Sequence, residues 1–325
     1  MNRFLLSLTL ITLLFAMVTN TQSAANDEPQ IKWRRAADLN LPRGGYFAAW
    51  HDGGLWIAGG SYWKDGEKLW TNEASFYDPE KGCWTSAKPL PKSFGYGVTA
   101  GIGKDLFILG GVDGTGSLNK DVYRLRSDKW EKIGESPSGF IYAAYAAISK
   151  KIYVFGGSVS PSDVTKAMDT VWIYDTGSNK WKQSKPFPGA PRQIFSAAAI
   201  GDQIYFFGGI TQKPGEKYHN LDDAFRFDTK TESWKRLANM PVAMRAHWTV
   251  SGGGSIYLIG GYADGGLDSV YRYSPSEDSY ELVSRLPQPL MDTKFLFNDG
   301  KFYGAGGEDD LMSRFGGLVI GTIKK

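Results

Sequence analysis

Six times along this chain an apolar, strand-forming run ends in two consecutive glycines: Gly59-Gly60, Gly110-Gly111, Gly156-Gly157, Gly208-Gly209, Gly260-Gly261 and Gly306-Gly307. The steps between successive pairs are 51, 46, 52, 52 and 46 residues. A period near 50 with paired glycines and a recurring aromatic means a repeat architecture, stacked or radial, rather than a single irregular core. Composition agrees: 40 glycines, 17 tyrosines and 11 tryptophans in 325 residues suit short strands joined by tight turns.

The rest of each unit keeps register with its glycines. Tyr77, Tyr123, Tyr174, Phe227 and Tyr273 each lie seven residues before an aromatic, respectively Trp84, Trp130, Trp181, Trp234 and Tyr280. Turn formers such as Asp78-Pro79-Glu80-Lys81-Gly82 stand between them, so each pair reads as strand, turn, strand. From that aromatic to the next glycine pair the distance is again nearly constant, 26 or 27 residues. Only the stretch from glycine pair to tyrosine varies, from 13 to 19 residues.

Glycine pair, Tyr77-Asp78, Tyr174-Asp175 or Phe227-Asp228, and later tryptophan together resemble the Kelch repeat, over essentially all of residues 26–325. That resemblance implies an all-β fold, a six-bladed Kelch β-propeller with four antiparallel strands per blade. Trp33 stands 26 residues before Gly59 with no glycine pair ahead of it, and the last unit has one further strand, about 317–323, after its own pair. The segment around Ile31–Ala36 is therefore expected to supply the outer strand of the sixth blade, closing the ring and covering an exposed edge. We expect one closed domain, residues 26–325, without a linker.

The first 25 residues read as an export signal. Arg3 precedes an uncharged, mostly apolar run from Phe4 to Val18, shorter than the roughly 20 residues of a membrane span and right for a signal-peptide core. Ser23 and Ala25 suit cleavage after Ala25, which would leave no stable membrane anchor and a periplasmic or secreted chain. No cysteine stands at that junction, so a lipoprotein is excluded, and the absence of Asn-x-Ser/Thr favours a bacterial periplasm.

Several functions are excluded by counts. Lys and Arg number 37 against 34 Asp and Glu, too balanced for a nucleic-acid binder that works by neutralising phosphates. One cysteine, Cys83, rules out a disulfide framework, and three histidines without helical spacing leave little for a metal; we expect neither metal nor cofactor. Cys83, beside Trp84 on an outer strand, is expected to be a buried small hydrophobe. Gly101-Ile102-Gly103-Lys104-Asp105 lacks the spacing of a phosphate loop and reads as a hairpin turn.

In a propeller, the loops between the second and third strands share a face with the blade-to-blade crossovers, so variable segments and crossovers together mark the binding face. Three of those loops are long: 61–72, with Tyr62, Trp63 and Trp70 among charges; 158–168; and 210–221. The crossovers bring Arg43, Tyr46, Tyr96, Tyr142, Arg192, Arg245, His247 and Lys294 toward the channel mouth, and these are the candidate ligand-binding residues. Such a cationic, hydroxyl-bearing funnel suits a small polar or carbohydrate ligand, or a protein segment. An arginine after a proline has a second use, binding loop carbonyls, and His247 between Ala246 and Trp248 is as readily packed as catalytic.

One enzymatic resemblance enters here. Phe187-Pro188-Gly189-Ala190-Pro191-Arg192, Ser196-Ala197 and Ile204-Tyr205-Phe206-Phe207-Gly208-Gly209 resemble one blade of the bacterial sialic acid mutarotases, exported Kelch propellers. Met244, Ala246 and His247 resemble their following blade, and Gly307-Glu308 with Arg314 resembles a third, the blades running in cyclically shifted order. The resemblance implies Glu308 as general acid/base at the anomeric hydroxyl and Arg314 as holder of the sugar carboxylate. Non-catalytic binding is the leading expectation and mutarotation the alternative.

Overall fold

The computed structural model describes residues 30–310 and 313–324. The expected export segment lies outside the described residues. Six four-stranded antiparallel sheets form the blades. Their innermost strands are Phe47–His51, Val98–Ile102, Ala144–Ile148, Ser196–Ile200, Trp248–Gly252 and Lys294–Asn298. Blade 1 continues outward through Gly54–Ala58, Ala74–Asp78 and Cys83–Ala87, and blades 2 to 5 repeat that order.

Blade 6 is assembled from both ends of the described chain. Lys301–Ala305 and Leu318–Ile323 follow its inner strand, and Ile31–Arg35 pairs antiparallel with Leu318–Ile323 as the outermost strand. Ile31 is buried among Val283, Leu286 and Phe315, and the Trp33 indole N–H donates to Ser284 Oγ at 3.1 Å on blade 5. The inner side of the same seam is held by Tyr46, whose hydroxyl donates to the Ala305 carbonyl and accepts the Lys294 N–H at 2.9 Å. The expected closure is thus present at both the rim and the hub.

The repeated glycine pair has a backbone cause. Both glycines of all six pairs adopt positive φ, a region that costs a side chain strain. The N–H of each second glycine donates to the crossover entering the next blade: Gly60 to Phe94, Gly111 to Phe140, Gly157 to Arg192, Gly209 to Met244, Gly261 to Leu290 and Gly307 to Arg43, all within 3.0 Å. A Cβ on Gly60 would stand 2.5 Å from the carbonyl oxygen of Gly44 in its own blade's crossover. Each second glycine is wedged between two crossovers, so no larger residue fits.

Between the blades lie aromatic and aliphatic layers, as in the cluster of Phe155, Phe187, Phe206, Phe225 and Phe227. The seven-residue aromatic pairs are cross-strand neighbours in four blades, with ring centroids 4.5 to 5.3 Å apart. Blade 2 differs. Its outer hairpin closes on a two-residue turn, Ser127-Asp128, rather than the four residues 79–82 of blade 1, so Leu125 faces Trp130 and Tyr123 packs on Phe94 instead. The Gly101–Asp105 segment is the expected hairpin turn.

One expectation needs correction. Cys83 is exposed rather than buried, because it is on the solvent side of the outermost strand of blade 1 and Trp84 takes the inward side. The 61–72 and 210–221 loops carry small hairpins of their own, Ser61–Lys64 with Glu67–Trp70 and Ile210–Thr211 with His219–Asn220.

The seam makes a stability prediction. Replacing Ile31 by Ala should destabilise the whole propeller by about 2–4 kcal/mol, the usual cost of emptying a buried aliphatic site. Urea unfolding followed by tryptophan fluorescence would report this as one earlier, still cooperative transition. An unchanged midpoint would mean that the N-terminal strand is not part of the cooperative fold.

Candidate functional site

Each crossover places one residue at the hub in the left-handed conformation: Gly45, Tyr96, Tyr142, Ile194, Ala246 and Asp292, with φ between +52° and +65°. Such angles are uncommon outside glycine and persist only when the surroundings dictate them. Here the surroundings are one another. Tyr96 N–H donates to Gly45 O at 2.6 Å, Tyr142 to Tyr96 O at 3.1 Å, Ile194 to Tyr142 O at 2.9 Å, Ala246 to Ile194 O at 3.1 Å and Asp292 to Ala246 O at 2.8 Å. Gly45 N–H then donates to the Asp292 carboxylate at 2.7 Å, completing a ring of six residues through five backbone links and one side chain. Gly45 admits no side chain, since a Cβ would meet the Tyr96 ring at 2.3 Å.

The ring divides the hub in two. On the loop face lies a cup of about 280 Å³, floored by Tyr96, Tyr142, Ile194, Ala246 and Asp292 and walled by Gln193, Arg245, Met291, Tyr262, Glu308 and the Pro161–Val164 stretch. Its walls are stitched by short antiparallel bridges. Arg245 and Tyr262 exchange backbone hydrogen bonds, and so do Met291 and Glu308, at 2.8 to 3.0 Å. Beneath the ring is a small cavity of about 50 Å³ lined by Asp292, Lys294, His247, Trp248, Tyr145 and Phe195 among others.

Glu308 and Arg314 meet. The Arg314 guanidinium donates through Nη1 to the Glu308 carboxylate, and through Nε and Nη2 to Ser61 O and Oγ at 3.2 Å, tying blade 6 to blade 1. Burial, and then the Asp292 carboxylate, push the Glu308 carboxyl above its usual range, while Arg314 and Lys68 pull it back. Burial raises Asp292 as well. Lys68 reaches in from the first long loop, its ammonium 5.1 Å from the Tyr96 ring centre and 5.3 Å from that of Trp70. Burial pushes the Tyr142 phenol up to about 12, so it is a neutral hydrogen-bonding group at ordinary pH.

Of the other candidates, Arg245 is a cup residue. Its guanidinium stacks 4.4 Å from the Tyr262 ring centre and donates to Asn220 at 2.8 Å. Tyr96 and Tyr142 belong to the ring. Arg43, Arg192 and Tyr46 are not brought to the mouth. Arg43 donates to the carbonyls of Leu41 and Glu73, and Arg192 to those of Ala190 and Gly208 and to Asp223. Both arginines occupy the position that is Phe94, Phe140, Met244 or Leu290 in the other blades, fully buried throughout. Aligning the six crossovers by their glycine steps already exposes that equivalence. His247 and Lys294 fall below the ring, in the small cavity there. Asp292, which its place in the crossover already puts at the channel mouth, belongs to the ring; Tyr262, Gln193 and Tyr145 carry no such mark in the sequence, and only the folded hub brings them to the site.

Trp63 and Trp70 form no apolar patch. Trp70 packs edge-on to Tyr96 at 5.8 Å, and the large exposed hydrophobics among the described residues are Val159, Tyr218 and Leu282, scattered singly. Among the described residues no three of His, Cys, Asp and Glu gather as a metal cluster.

Sequence comparison agrees with this architecture. The chain matches the KLHDC2/KLHL20/DRC7 Kelch-repeats domain over residues 99–307, well over half its length. It belongs to that Kelch-repeat family. It is similar to Kelch-like protein 35 of Mus musculus, 27% identical over 243 residues, 73% of this chain and 39% of that protein. It is also similar to Kelch-like protein 25 of Xenopus tropicalis, 27% identical over 273 residues, 80% of this chain and 44% of that protein. Beta-scruin of Limulus polyphemus is 23% identical over 274 residues, 80% of this chain and 30% of that protein. The Kelch chain thus spans less than half the length of these curated relatives.

His247 gives the Kelch hub a pH dependence. Burial holds its imidazole at about 4 rather than 6.5. The unfolded chain takes up that proton first as pH falls, so stability present above pH 6.5 is lost as pH falls from 6.5 to about 4. The loss attributable to this group is about 3 kcal/mol at most. Urea unfolding across that range should show a steeper decline for the native chain than for His247→Phe; equal slopes would remove His247 from the acid response.

Proposed function

We propose that this Kelch propeller is an exported, non-catalytic binding module. It takes a small polar, carbohydrate-like ligand, or a protein segment of similar size, in the cup on its loop face. The observation that carries the reading is the cup itself. It is a rigid hollow of about 280 Å³, close to the size of small-ligand sites, with phenols, a stacked arginine and a paired acid converging on a backbone-locked floor. Aromatic faces with hydroxyls and a guanidinium serve hydroxyl- and carboxylate-bearing ligands through stacking and charge-assisted hydrogen bonds. The pairing of Glu308 with Arg314 supports binding over catalysis, because each group neutralises the other before a ligand arrives.

Saturation-transfer NMR against a panel of neutral and acidic monosaccharides and short peptides tests this. Arg245→Ala should weaken any bound member by about tenfold, the worth of one charge-assisted hydrogen bond. Binding indifferent to both Arg245→Ala and Tyr142→Ala would place the ligand elsewhere.

The second reading, sialic acid mutarotation, is favoured by one specific contact: Glu308, raised by burial, lies against Arg314 beside the cup. On this reading the sugar carboxylate displaces Glu308 from Arg314, and the freed acid moves the anomeric proton. Exchange NMR between the anomers of N-acetylneuraminic acid decides it. Acceleration over buffer, abolished by Glu308→Gln, supports the enzyme; a rate equal to buffer leaves the binding module.

Export rests on the apolar run Phe4 to Val18 and the small residues before Asn26. N-terminal sequencing of protein recovered outside the cytoplasm should begin at Asn26. Recovery of only the uncleaved chain inside cells would overturn it.

A further inference from the structure

Gln193 and Arg245 hold the same place in successive crossovers, each immediately before a ring residue, Ile194 and Ala246. Their counterparts in the other four crossovers are Gly44, Gly95, Ile141 and Met291, so polar side chains at this height are confined to one sector of the cup wall. Gln193 is only 3% exposed and its side-chain oxygen has no hydrogen-bond partner, although its backbone is locked to Ile210 by bonds of 2.9 and 3.1 Å. A buried amide left without a partner is rare and marks a place where a ligand or water completes the bonding. Arg245 is fixed by Asn220 at 2.8 Å and by the rings of Tyr262 and Tyr218, yet no carboxylate among the described residues pairs with it. Among the described residues lining the cup it is the single cation.

The acids of the cup stand apart from that cation. Asp292 accepts the Gly45 N–H through Oδ2, and Glu308 accepts from Arg314 through Oε1. Their second oxygens, Asp292 Oδ1 and Glu308 Oε2, have no hydrogen bond among the described residues, and neither is buried beyond reach. The cations that act on the two carboxyls are Lys294, Arg314 and Lys68; Arg245 is not among them. Lys294 offsets Asp292 from beneath the ring without forming an ion pair with it. Burial still raises both carboxyls, and the Asp292 charge raises Glu308 further, so the cations present do not fully compensate two neighbouring acids. One cup thus holds an unpaired guanidinium in one sector and two part-bonded carboxylates in another.

We propose that the cup takes a free amino acid as its zwitterion, with the carboxylate on Arg245 and Gln193 and the ammonium on Asp292 and Glu308. This rests on the cup being the ligand site, as proposed above, and narrows the ligand to one class. The carboxylate brings acceptors to a guanidinium already fixed in place, and the ammonium brings three donors to oxygens that lack them. A simple anion would leave the two acids unmet and lie near their charge. A simple cation would leave Arg245 without a partner, and a neutral sugar would desolvate both charges and pair neither. The amino acid side chain then falls toward Tyr142, Pro161 and Val164, so an apolar or aromatic one fits best. A hollow of about 280 Å³ accommodates one such molecule.

Calorimetry and saturation-transfer NMR of the full chain with the free L-amino acids and with monosaccharides test this. The expected result is binding of phenylalanine and leucine. Their N-acetyl derivatives, which lack the ammonium, and their amides, which lack the carboxylate, should each bind roughly tenfold more weakly or worse. Those comparisons need no variant, so they stand whatever a substitution does to folding. The preference for phenylalanine over phenylalaninamide should collapse in Arg245→Ala, and the preference over N-acetylphenylalanine should collapse in Glu308→Gln. Gln193→Leu should weaken phenylalanine without lowering the melting temperature, because it removes an amide that the empty cup leaves unpaired; a merely structural Gln193 would lower the melting temperature and spare affinity. Equal binding of phenylalanine and either derivative would overturn the zwitterion, as would preferences unchanged in both variants. Monosaccharide binding weakened by Arg245→Ala, with every amino acid silent, would overturn it and leave the cup; silence of the whole panel would overturn both.

Discussion

A glycine wedged between two backbone crossovers carries most of this architecture. In every blade the second glycine gives its N–H to the crossover entering the next blade, while its Cα lies against the crossover of its own blade. No side chain is tolerated there, because a Cβ would lie within about 3 Å of a carbonyl or its neighbours. The same contact sets the height at which each crossover passes the axis. With six crossovers at one height, their hub residues fall into a ring and hydrogen-bond to one another, which holds five non-glycine residues in a left-handed conformation.

Because the backbone repeats so closely, function has to come from side chains that depart from the repeat. Those departures cluster. Arg245, His247, Asp292, Lys294, Glu308 and Arg314 all belong to blades 5 and 6 or the crossovers leading into them, whereas the equivalent hub positions in blades 1 to 4 are mostly glycine, alanine or aromatic. The ring then sorts the cluster by depth. Arg245 and Glu308 face the cup, Asp292 sits in the ring, and His247 and Lys294 lie beneath it. Burial raises the acids and lowers the bases, so the hub concentrates ionisable groups whose ordinary charges are costly.

Much of the fold is legible in the sequence. Glycine steps gave six blades, Trp33 gave the closing strand, and the variable stretches gave the loop face. The site was legible only in part. Arg43 and Arg192 carry the right chemistry but occupy the buried position that is apolar in four other blades, and their guanidinium groups serve loop carbonyls. Asp292 is readable as a crossover residue at the channel mouth, but nothing in the sequence shows that its carboxylate closes the ring. Glu308 and Arg314 do come together, although Arg314 also binds Ser61 across the seam, 253 residues away.

The sequence by itself determined the blade count, the strand order and the seam, because each rests on local backbone demands that recur at a readable spacing. Only the tertiary structure decided which side chains share a cup and which lie below the ring. Lys294 and Tyr145, 149 residues apart, meet because blades 3 and 6 are opposite in a closed ring of six. That distance is a property of closure, and no local pattern in the chain encodes it.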